Sequence, residues 1–525
     1  MMFHPKKLKK TDGSFVFAGE VTARANGCFL EEIFREFWHG FTYHCSDLTV
    51  EETDEFVFRM GDTTALPLNG EAYSIRVEKN GLCVYAENRN DLILGFMTLI
   101  DRIEAIDADD GTTALTIGCC EITESQAVGT RMAHFCVFHE TELWELQRFL
   151  RFCAALRYSH VIVEFWGMFR YDCMKELAWP HAYTKEELKP IMQEAADLGL
   201  EIVPMFNHWG HAAGCRVMHG KHVVLDQNPA LETYFCENGW CWDIRKPKVR
   251  DLLRSIRREL TDLCGDGSYF HIGCDEAYGF DLNTEAGMNA VCDFINGIAD
   301  EMEEENRRIL VWGDMFLYRY SHYNPKNFYA ANAPSPESEA YLLNRLSKKV
   351  IIADWQYDAN EAPVETSEVF LKYGFDCMIC PWDRSRAKTN SCLTTAKEKN
   401  LAGFIPLKDT FCHRCQRKLQ HFFQRLFRAF RHRTVPFSAL IYMGHRIRKS
   451  QRLCFLSHQP IQQTQVCRSS SAQLEIMAEL QNTLSQSNSL LDSQLTTQEG
   501  QGQRQFRRNA LLPRKTLQPF PQNSF

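Results

Sequence analysis

The sequence lacks the long apolar runs of a membrane protein. No stretch approaches the roughly 18 uncharged apolar residues that a helix needs to cross a bilayer. The start, MMFHPKKLKKTDGSF, has a basic run with no apolar segment after it, so we expect neither a secretory signal nor a membrane span. The 21 cysteines are an odd number scattered through 525 residues. That pattern favours reduced thiols and a cytoplasmic protein over a disulfide framework.

Glycine-rich nucleotide-binding turns are also missing. A doubly wound open sheet usually carries such a turn after its first strand. Here the first strand of the long central region is followed by Phe138-His139-Glu140-Thr141. No phosphate-binding loop and no internal repeat with a period of 20–50 residues is visible. These absences argue against a dinucleotide-binding sheet and against a solenoid.

Tryptophan is absent from the end of the chain, where acidic residues are also scarce. Residues 406–525 contain 18 Lys and Arg against 5 Asp and Glu, and 18 glutamines against 5 in all the preceding residues. We expect a basic, Gln/Arg-rich tail outside the fold, either disordered or translated out of frame or fused from elsewhere. Nucleic-acid binding by this tail is an alternative that would require strongly salt-dependent affinity, and we expect no nucleic-acid partner.

Residues 1–125 are predicted to form a small α+β domain. SIRVE alternates in the manner of a strand, and Lys79-Asn80-Gly81 is a strong hairpin-turn signal. The segment DLILGFMTLIDRIEAI follows, and its apolar spacing mostly suits a helix packed on that hairpin.

Residues 126–405 alternate between strand and helix patterns. Helical stretches such as ELWELQRFLRFCAAL and VRDLLRSIRREL separate the strands. We predict eight strands, at 132–137, 160–165, 201–206, 269–273, 309–313, 350–354, 376–380 and 402–405. Eight strands with seven intervening helices in about 275 residues indicate a (β/α)8 TIM barrel, an α/β fold.

Active sites of such barrels lie at the carboxyl ends of the strands. The polar and aromatic residues just past the predicted strands are Glu164, Trp166, Asn207, His208, Trp209, His211, Asp275, Glu276, Trp312, Asp314, Trp355, Tyr357, Trp382 and Asp383. Acids ringed by Trp and Tyr are typical of a carbohydrate pocket, because aromatic faces stack on sugar C–H faces while carboxylates hold hydroxyls.

The segment YFHIGCDEAYGF is the most informative. Its adjacent acids, Asp275 and Glu276, repel, so one can hold a proton while the other stays ionised. That division of roles suits glycoside hydrolysis. The alternatives are that the pair only begins a helix, where acids are favoured, or that His271 and both acids bind a metal. The Trp-rich rim favours a sugar, so we expect no metal and no cofactor.

These segments resemble glycoside hydrolase family 20, the β-N-acetylhexosaminidases, and within it the intracellular hexosaminidase D-type branch. His271-Ile-Gly-Cys-Asp-Glu276 is similar to the family motif H-x-G-x-D-E. Asn207-His-Trp-Gly-His211, VWGDM and DWQY are similar to its strand 3, 5 and 6 segments. The resemblance covers roughly residues 60–405.

The resemblance implies a retaining, substrate-assisted hydrolysis of terminal β-linked GlcNAc or GalNAc, in which the 2-acetamido oxygen is the nucleophile. Glu276 would be the general acid and base, and Asp275 would orient the acetamido N–H. The partner would be a small glycan or glycoconjugate, and a homodimer stays open. The implied substrate-binding residues are Arg131, Glu164, His211, Trp312, Asp314, Trp355, Tyr357 and Trp382.

Each of these binding roles has a structural alternative. Arg131 could be an ion-paired strand residue and His211 a hydrogen-bonded loop residue. The tryptophans could pack the core, and Glu164 could be a buried structural acid.

The chain also departs from the family pattern. Met132 follows Arg131 where many members have Gly, Cys136 stands near an expected acid, and no Trp follows strand 8. The alternative function is therefore a catalytically decayed or truncated glycan-binding barrel. Cys412 and Cys415 have zinc-knuckle spacing, but no second pair with convincing spacing follows, so we interpret them as accidental thiols.

Overall fold

The computed structural model describes residues 5–17, 21–25, 48–107, 113–126, 128–212, 228–237, 239–278, 280–321, 329–382 and 385–406. Asp383 and the tail from residue 407 onward, with Cys412 and Cys415, lie outside these residues. Within the described ranges, no helix has both the length and the apolar composition needed to span a bilayer. The cysteines in the same ranges are all free thiols.

The N-terminal part is a sheet of eight strands. They are β1 (Lys7–Phe17), β2 (Val21–Ala25), β3 (Leu48–Glu52), β4 (Val57–Gly61), β5 (Tyr73–Glu78), β6 (Gly81–Ala86), β7 (Glu104–Asp107) and β8 (Thr113–Glu124). The order is β1-β8-β5-β6-β4-β2-β3, with β7 paired to β8. Among the strands that the structure describes in this sheet, β2 and β3 are the one parallel pair. The predicted hairpin around Asn80 and Gly81 is formed by β5 and β6.

Helix α1 (Arg89–Ile100) packs on this sheet. The Asn88 side chain accepts the backbone N–H of Asp91 at 3.0 Å and so caps the first turn. Leu92, Phe96 and other apolar side chains of α1 are buried against β5 and β6. The helix is shorter than its apolar pattern, because 104–107 pair with β8 as a strand instead.

A closed parallel barrel follows, which confirms the predicted fold. Its strands are β9 (Thr130–Cys136), β10 (His160–Glu164), β11 (Glu201–Met205), β12 (Tyr269–His271), β13 (Arg308–Trp312), β14 (Ile351–Trp355), β15 (Asp376–Cys380) and β16 (Gly403–Phe404). β16 closes the barrel by pairing with β9.

Helices lie between the barrel strands. They are α2 (Leu143–Ala155), α3 (Lys185–Asp197), α4 (Pro247–Cys264), α5 (Glu285–Glu304), α6 (Pro336–Arg345), α7 (Glu365–Lys372) and α8 (Arg386–Glu398). Short 3-10 turns occupy Trp166–Met168, Lys175–Leu177, Pro229–Tyr234, Asp314–Phe316 and Arg319–Ser321.

The strands alternate between two faces. Met132 packs in the barrel interior with Ile162, Val203, Leu310 and Ile351. Ala133, the next residue of β9, packs outward against the helices. This period of two decides which side chains of a strand can reach the barrel mouth.

Candidate active site

The loop after β12 carries Asp275 and Glu276 in an unusual backbone conformation. Gly273, Cys274 and Glu276 have φ angles of 66°, 74° and 46°. For residues other than glycine this left-handed region costs free energy and persists only where neighbours enforce it. Here the Glu276 carbonyl accepts the indole N–H of Trp240 at 2.6 Å. The loop is therefore fixed by specific contacts.

Glycines allow the segment after β11 to approach this loop. A Cβ on Gly210, in the segment after β11, would lie 1.9 Å from the carbonyl oxygen of Asp275. A Cβ on Gly273 would lie 1.9 Å from Asn207 Oδ1. The two segments fit against each other because neither glycine has a side chain.

His211 links the two acids. Its Nε2 lies 3.1 Å from Glu276 Oε2 and 3.3 Å from Asp275 Oδ2. The indole of Trp240 packs on the imidazole with ring centroids 4.5 Å apart. One ring nitrogen thus contacts both carboxyl groups. It can orient both acids and, when protonated, balance their charge.

Asp314, in the 3-10 turn after β13, is a third carboxyl group of this site. It is 2% exposed, and its Oδ2 accepts the backbone N–H of Glu276 at 3.0 Å. The side chains of Asn332 and Trp355 donate to it at 2.7 and 3.0 Å. Burial, followed by the charge of Asp275, outweighs these donors and raises the pKa of Asp314 to about 7. Near neutral pH the site therefore holds less negative charge than three ionised acids would.

Tyr278 contacts the other oxygen of Glu276. Its hydroxyl donates to Oε1 at 3.1 Å, and the residue is 50% exposed. Burial and then the charge of Glu276 raise the pKa of the Tyr278 phenol, so it stays a hydrogen-bond donor at neutral pH. Glu276 is therefore held by His211 on one oxygen and by Tyr278 on the other.

An aromatic row lies at the ends of β14 and β15. The Tyr357 ring is 4.8 Å from the Trp355 ring and 4.6 Å from the Trp382 ring. All three residues are partly exposed. Through its hydrogen bond to Asp314, Trp355 ties this row to the acids. The row offers apolar faces of the kind that stack on sugar rings.

Trp312 is part of the core instead. It is 4% exposed and packs in the barrel interior, with its ring 4.2 Å from that of His271. Burial lowers the pKa of His271 to about 3, so that imidazole is neutral. Of the predicted tryptophans, Trp312 fits the packing alternative better than Trp355 and Trp382 do.

Glu164 is buried at the end of β10. Its Oε1 accepts the Asn207 side-chain amide at 2.9 Å. Its Oε2 lies 3.3 Å from both His134 Nε2 and Cys136 Sγ. The structure thus gives Glu164 three protein contacts beneath the site.

Arg131, a predicted sugar contact, has backbone partners in the structure, and its sugar contact stays a prediction. Arg131 lies near the amino end of β9, and the alternation of β9 places it on the outer face with Ala133. Its guanidinium donates to the carbonyls of Val128, Gly129 and Arg157 at 2.5–2.9 Å. Because active sites open at the opposite end of the strands, its role is to hold backbone at the base of the barrel.

Several residues of the site were not predicted. Tyr278 belongs to the acid-pair segment and could have been found as the polar side chain two residues past Glu276. His134 points inward two residues before the end of β9. Trp240 and Asn332 lie in long connections without a strand-end signal, so only the structure reveals them.

Sequence comparison relates part of this chain to known proteins. Residues 163–381 match the sequence model of glycosyl hydrolase family 20, catalytic domain. A beta-hexosaminidase of Porphyromonas gingivalis (strain ATCC BAA-308 / W83) is 22% identical over 257 residues, covering 43% of this chain and 32% of that protein. The chain thus spans about a third of the length of this curated relative.

Solved structures share the fold. The beta-N-acetylhexosaminidase from Bacteroides fragilis NCTC 9343 has a TM-score of 0.56 at 16% identity, covering 88% of this chain and 97% of that one. The exo beta-N-acetylglucosaminidase of Vibrio harveyi in complex with N-acetylglucosamine has a TM-score of 0.54 at 16% identity, covering 77% and 68%. The D-type branch stays a prediction. Residues 163–381, from β10 to β15, thus match the catalytic domain of glycosyl hydrolase family 20, on a barrel in which the loop after β12 carries this acid pair.

Proposed function

We propose that this protein is an exo-β-N-acetylhexosaminidase that hydrolyses terminal β-linked GlcNAc or GalNAc. The observation that carries the proposal is the acid pair with one imidazole on both carboxyl groups, beside an aromatic row. This arrangement supports general acid catalysis on a sugar, because it pairs a positioned proton donor with a stacking surface.

Glu276 is the proposed general acid and base. It first donates its proton to the glycosidic oxygen, while the substrate's acetamido oxygen attacks the anomeric carbon and the aglycone leaves. Glu276 then takes a proton from water, which opens the oxazolinium-like intermediate from the face that the aglycone left. The anomeric configuration is retained because two inversions occur.

Asp275 is proposed to accept the acetamido N–H and to stabilise the positive charge of the intermediate. Tyr357, in the aromatic row, is proposed to donate to the acetamido oxygen. Asp314 supports Asp275 and Glu276 from below, through the backbone N–H of Glu276 and its charge interaction with Asp275. A cytoplasmic location is also part of the proposal, supported by the scattered, odd set of cysteines.

Hydrolysis of nitrophenyl β-GlcNAc and β-GalNAc tests this function. Glu276→Gln keeps the size of the side chain but removes the proton donor, so kcat should fall about 10²- to 10⁴-fold. Glu398→Gln, an exposed residue of α8, is the matched control and should leave kcat unchanged. Nuclear magnetic resonance of the first product should show the β anomer.

Wild-type activity retained in Glu276→Gln would refute the catalytic assignment. Binding of N-acetylglucosamine by the wild type without turnover of either substrate would instead support the alternative of a decayed, glycan-binding barrel.

A further inference from the structure

Below the acid pair, three potential metal ligands of different chemistry converge. His134 and Cys136 are two residues apart on the inner face of β9, and Glu164 of β10 lies opposite Cys136 in the strand register. Each residue offers one ligand atom, and in the described part of the chain these three atoms all lie within 4.8 Å of one another. Neighbouring strands hold the three side chains on one rigid platform.

The spacing of their ligand atoms is that of a tetrahedral metal site. His134 Nε2 and Glu164 Oε2 are 3.3 Å apart, and Cys136 Sγ lies 3.6 Å from the former and 3.3 Å from the latter. Zinc bonds of about 2.0–2.3 Å at tetrahedral angles separate ligand atoms by about 3.3–3.6 Å. Little movement is needed for the three atoms to share one ion.

Charge balance also supports a bound divalent cation. Metal binding converts the Cys136 thiol to a thiolate and releases its proton to solvent. The thiolate and the Glu164 carboxylate then bring two negative charges to a divalent cation, and the His134 imidazole binds as a neutral ligand. An electrically neutral complex suits a place where the side chains of His134 and Glu164 are only 10% and 3% exposed.

The surroundings also suit a bound ion. The Asn207 amide donates to Glu164 Oε1 at 2.9 Å and leaves Oε2 facing the other two ligands. Hydrogen bonds of this kind orient metal-binding carboxylates. Cys136 is partly exposed, which provides a path from solvent, and three protein ligands leave a fourth position for water or a sugar hydroxyl.

We propose that His134, Cys136 and Glu164 form a binding site for a zinc-like divalent cation inside the barrel, toward the carboxyl ends of β9 and β10. The mixture of imidazole, thiolate and carboxylate favours zinc or cobalt over magnesium and calcium, which prefer oxygen ligands. An ion there would occupy the space beneath the substrate site, so it should inhibit hydrolysis. This last consequence rests on the proposed function, whereas the binding itself does not.

Cobalt titration of the full-length chain tests the site without any substrate. Cys412 and Cys415 are replaced by serine in every chain compared, so that the tail contributes no paired thiols. The protein is stripped of metal, titrated with Co²⁺ and followed by the thiolate-to-cobalt charge-transfer absorption. We expect one equivalent that disappears in Cys136→Ser and binds at least about tenfold more weakly in His134→Gln. Cys173→Ser, at an exposed cysteine outside the cluster, should keep that equivalent.

Thermal unfolding with and without Zn²⁺ gives a second readout. Zinc should raise the unfolding midpoint of the parent chain but not that of Cys136→Ser, because only the intact site binds the ion. Equal cobalt equivalents and equal midpoint shifts in the two chains would overturn the proposal. If zinc binds as expected but no chain hydrolyses either nitrophenyl substrate, the metal site stands and the proposed function fails.

Discussion

The carboxylate of Asp314 accepts the backbone N–H of Glu276 at 3.0 Å. This bond joins the turn after β13 to the loop after β12, so the position of the proposed acid depends on a residue of the neighbouring strand. The same carboxyl group lies close enough to Asp275 for the charge of Asp275 to raise its pKa. Asp314 therefore influences both the position of Glu276 and the charge of the site.

Asp314→Asn should change how stability depends on pH. The folded-state pKa of about 7 lies above the ordinary value of 3.8, so protonated Asp314 stabilises the fold at low pH. That contribution is lost as the pH rises from about 4 through 7. The free energy of unfolding of the wild type minus that of Asp314→Asn should therefore decrease over this range. Urea unfolding at several pH values measures it.

The control for this experiment is Asp172→Asn, the same substitution at an exposed acid outside the site. A difference between wild type and Asp314→Asn that rises from pH 4 to 7, or that stays constant, would contradict the assignment.

Tyr278→Phe should lower kcat/KM of the proposed hydrolysis about five- to tenfold. The change removes the hydroxyl that holds Glu276 Oε1, and one hydrogen bond is worth about 1 kcal/mol. Because Tyr278 is half exposed, the free energy of unfolding should hardly change. Tyr320→Phe, at a tyrosine that is 74% exposed, should leave both quantities at the wild-type level. An unchanged kcat/KM in Tyr278→Phe would show that the contact does not position the acid.

Gly210→Ala should reduce activity strongly. The new Cβ would lie 1.9 Å from the Asp275 carbonyl oxygen, so the loop that carries both acids must move. A misplacement of about 1 Å can cost about 100-fold in rate, and overpacking costs about 1–3 kcal/mol in stability. Kinetics and urea unfolding measure the two effects.

Gly297→Ala is the matched control for Gly210→Ala. Gly297 is exposed within α5, and a Cβ there meets no atom within 4 Å. This variant should keep full activity and gain about 0.5–1 kcal/mol of stability, because alanine favours a helix over glycine. Equal behaviour of the two variants would refute the steric argument.

Arg131→Met should destabilise the protein without altering substrate affinity. The guanidinium holds three backbone carbonyls at the base of the barrel. Those of Val128 and Arg157 belong to buried residues, and buried acceptors left unpaired cost about 1–3 kcal/mol each. The unfolding midpoint should fall, whereas KM for the nitrophenyl sugars should stay within about twofold. A large rise in KM with unchanged stability would restore the sugar-binding role implied by the family resemblance.

Much of the fold was predictable because its signals are local. Alternating strands and amphipathic helices predicted the barrel. The strand ends predicted that Asp275, Glu276, His211 and the aromatic row lie at one end of it, and their role in catalysis stays a prediction. The predicted sugar contact of Arg131 rests on the family resemblance, whereas the two-residue period of β9 points this side chain outward. Interaction partners from distant segments, such as Trp240 with Glu276, have no signal in the sequence. The protonation of Asp314 depends on burial and on the charge of Asp275, which exist only in the folded chain.

The left-handed residues of the loop after β12 have a consequence for the chemistry. Consecutive side chains of an extended strand point to opposite faces, so two adjacent acids on a regular strand could not serve one substrate. The turn through Gly273, Cys274 and Glu276 brings Asp275 and Glu276 to the same side, where a single nitrogen of His211 reaches both. Two acids that are adjacent in the sequence are therefore also close in space. One loop can supply both the proton donor and the group that orients the internal nucleophile.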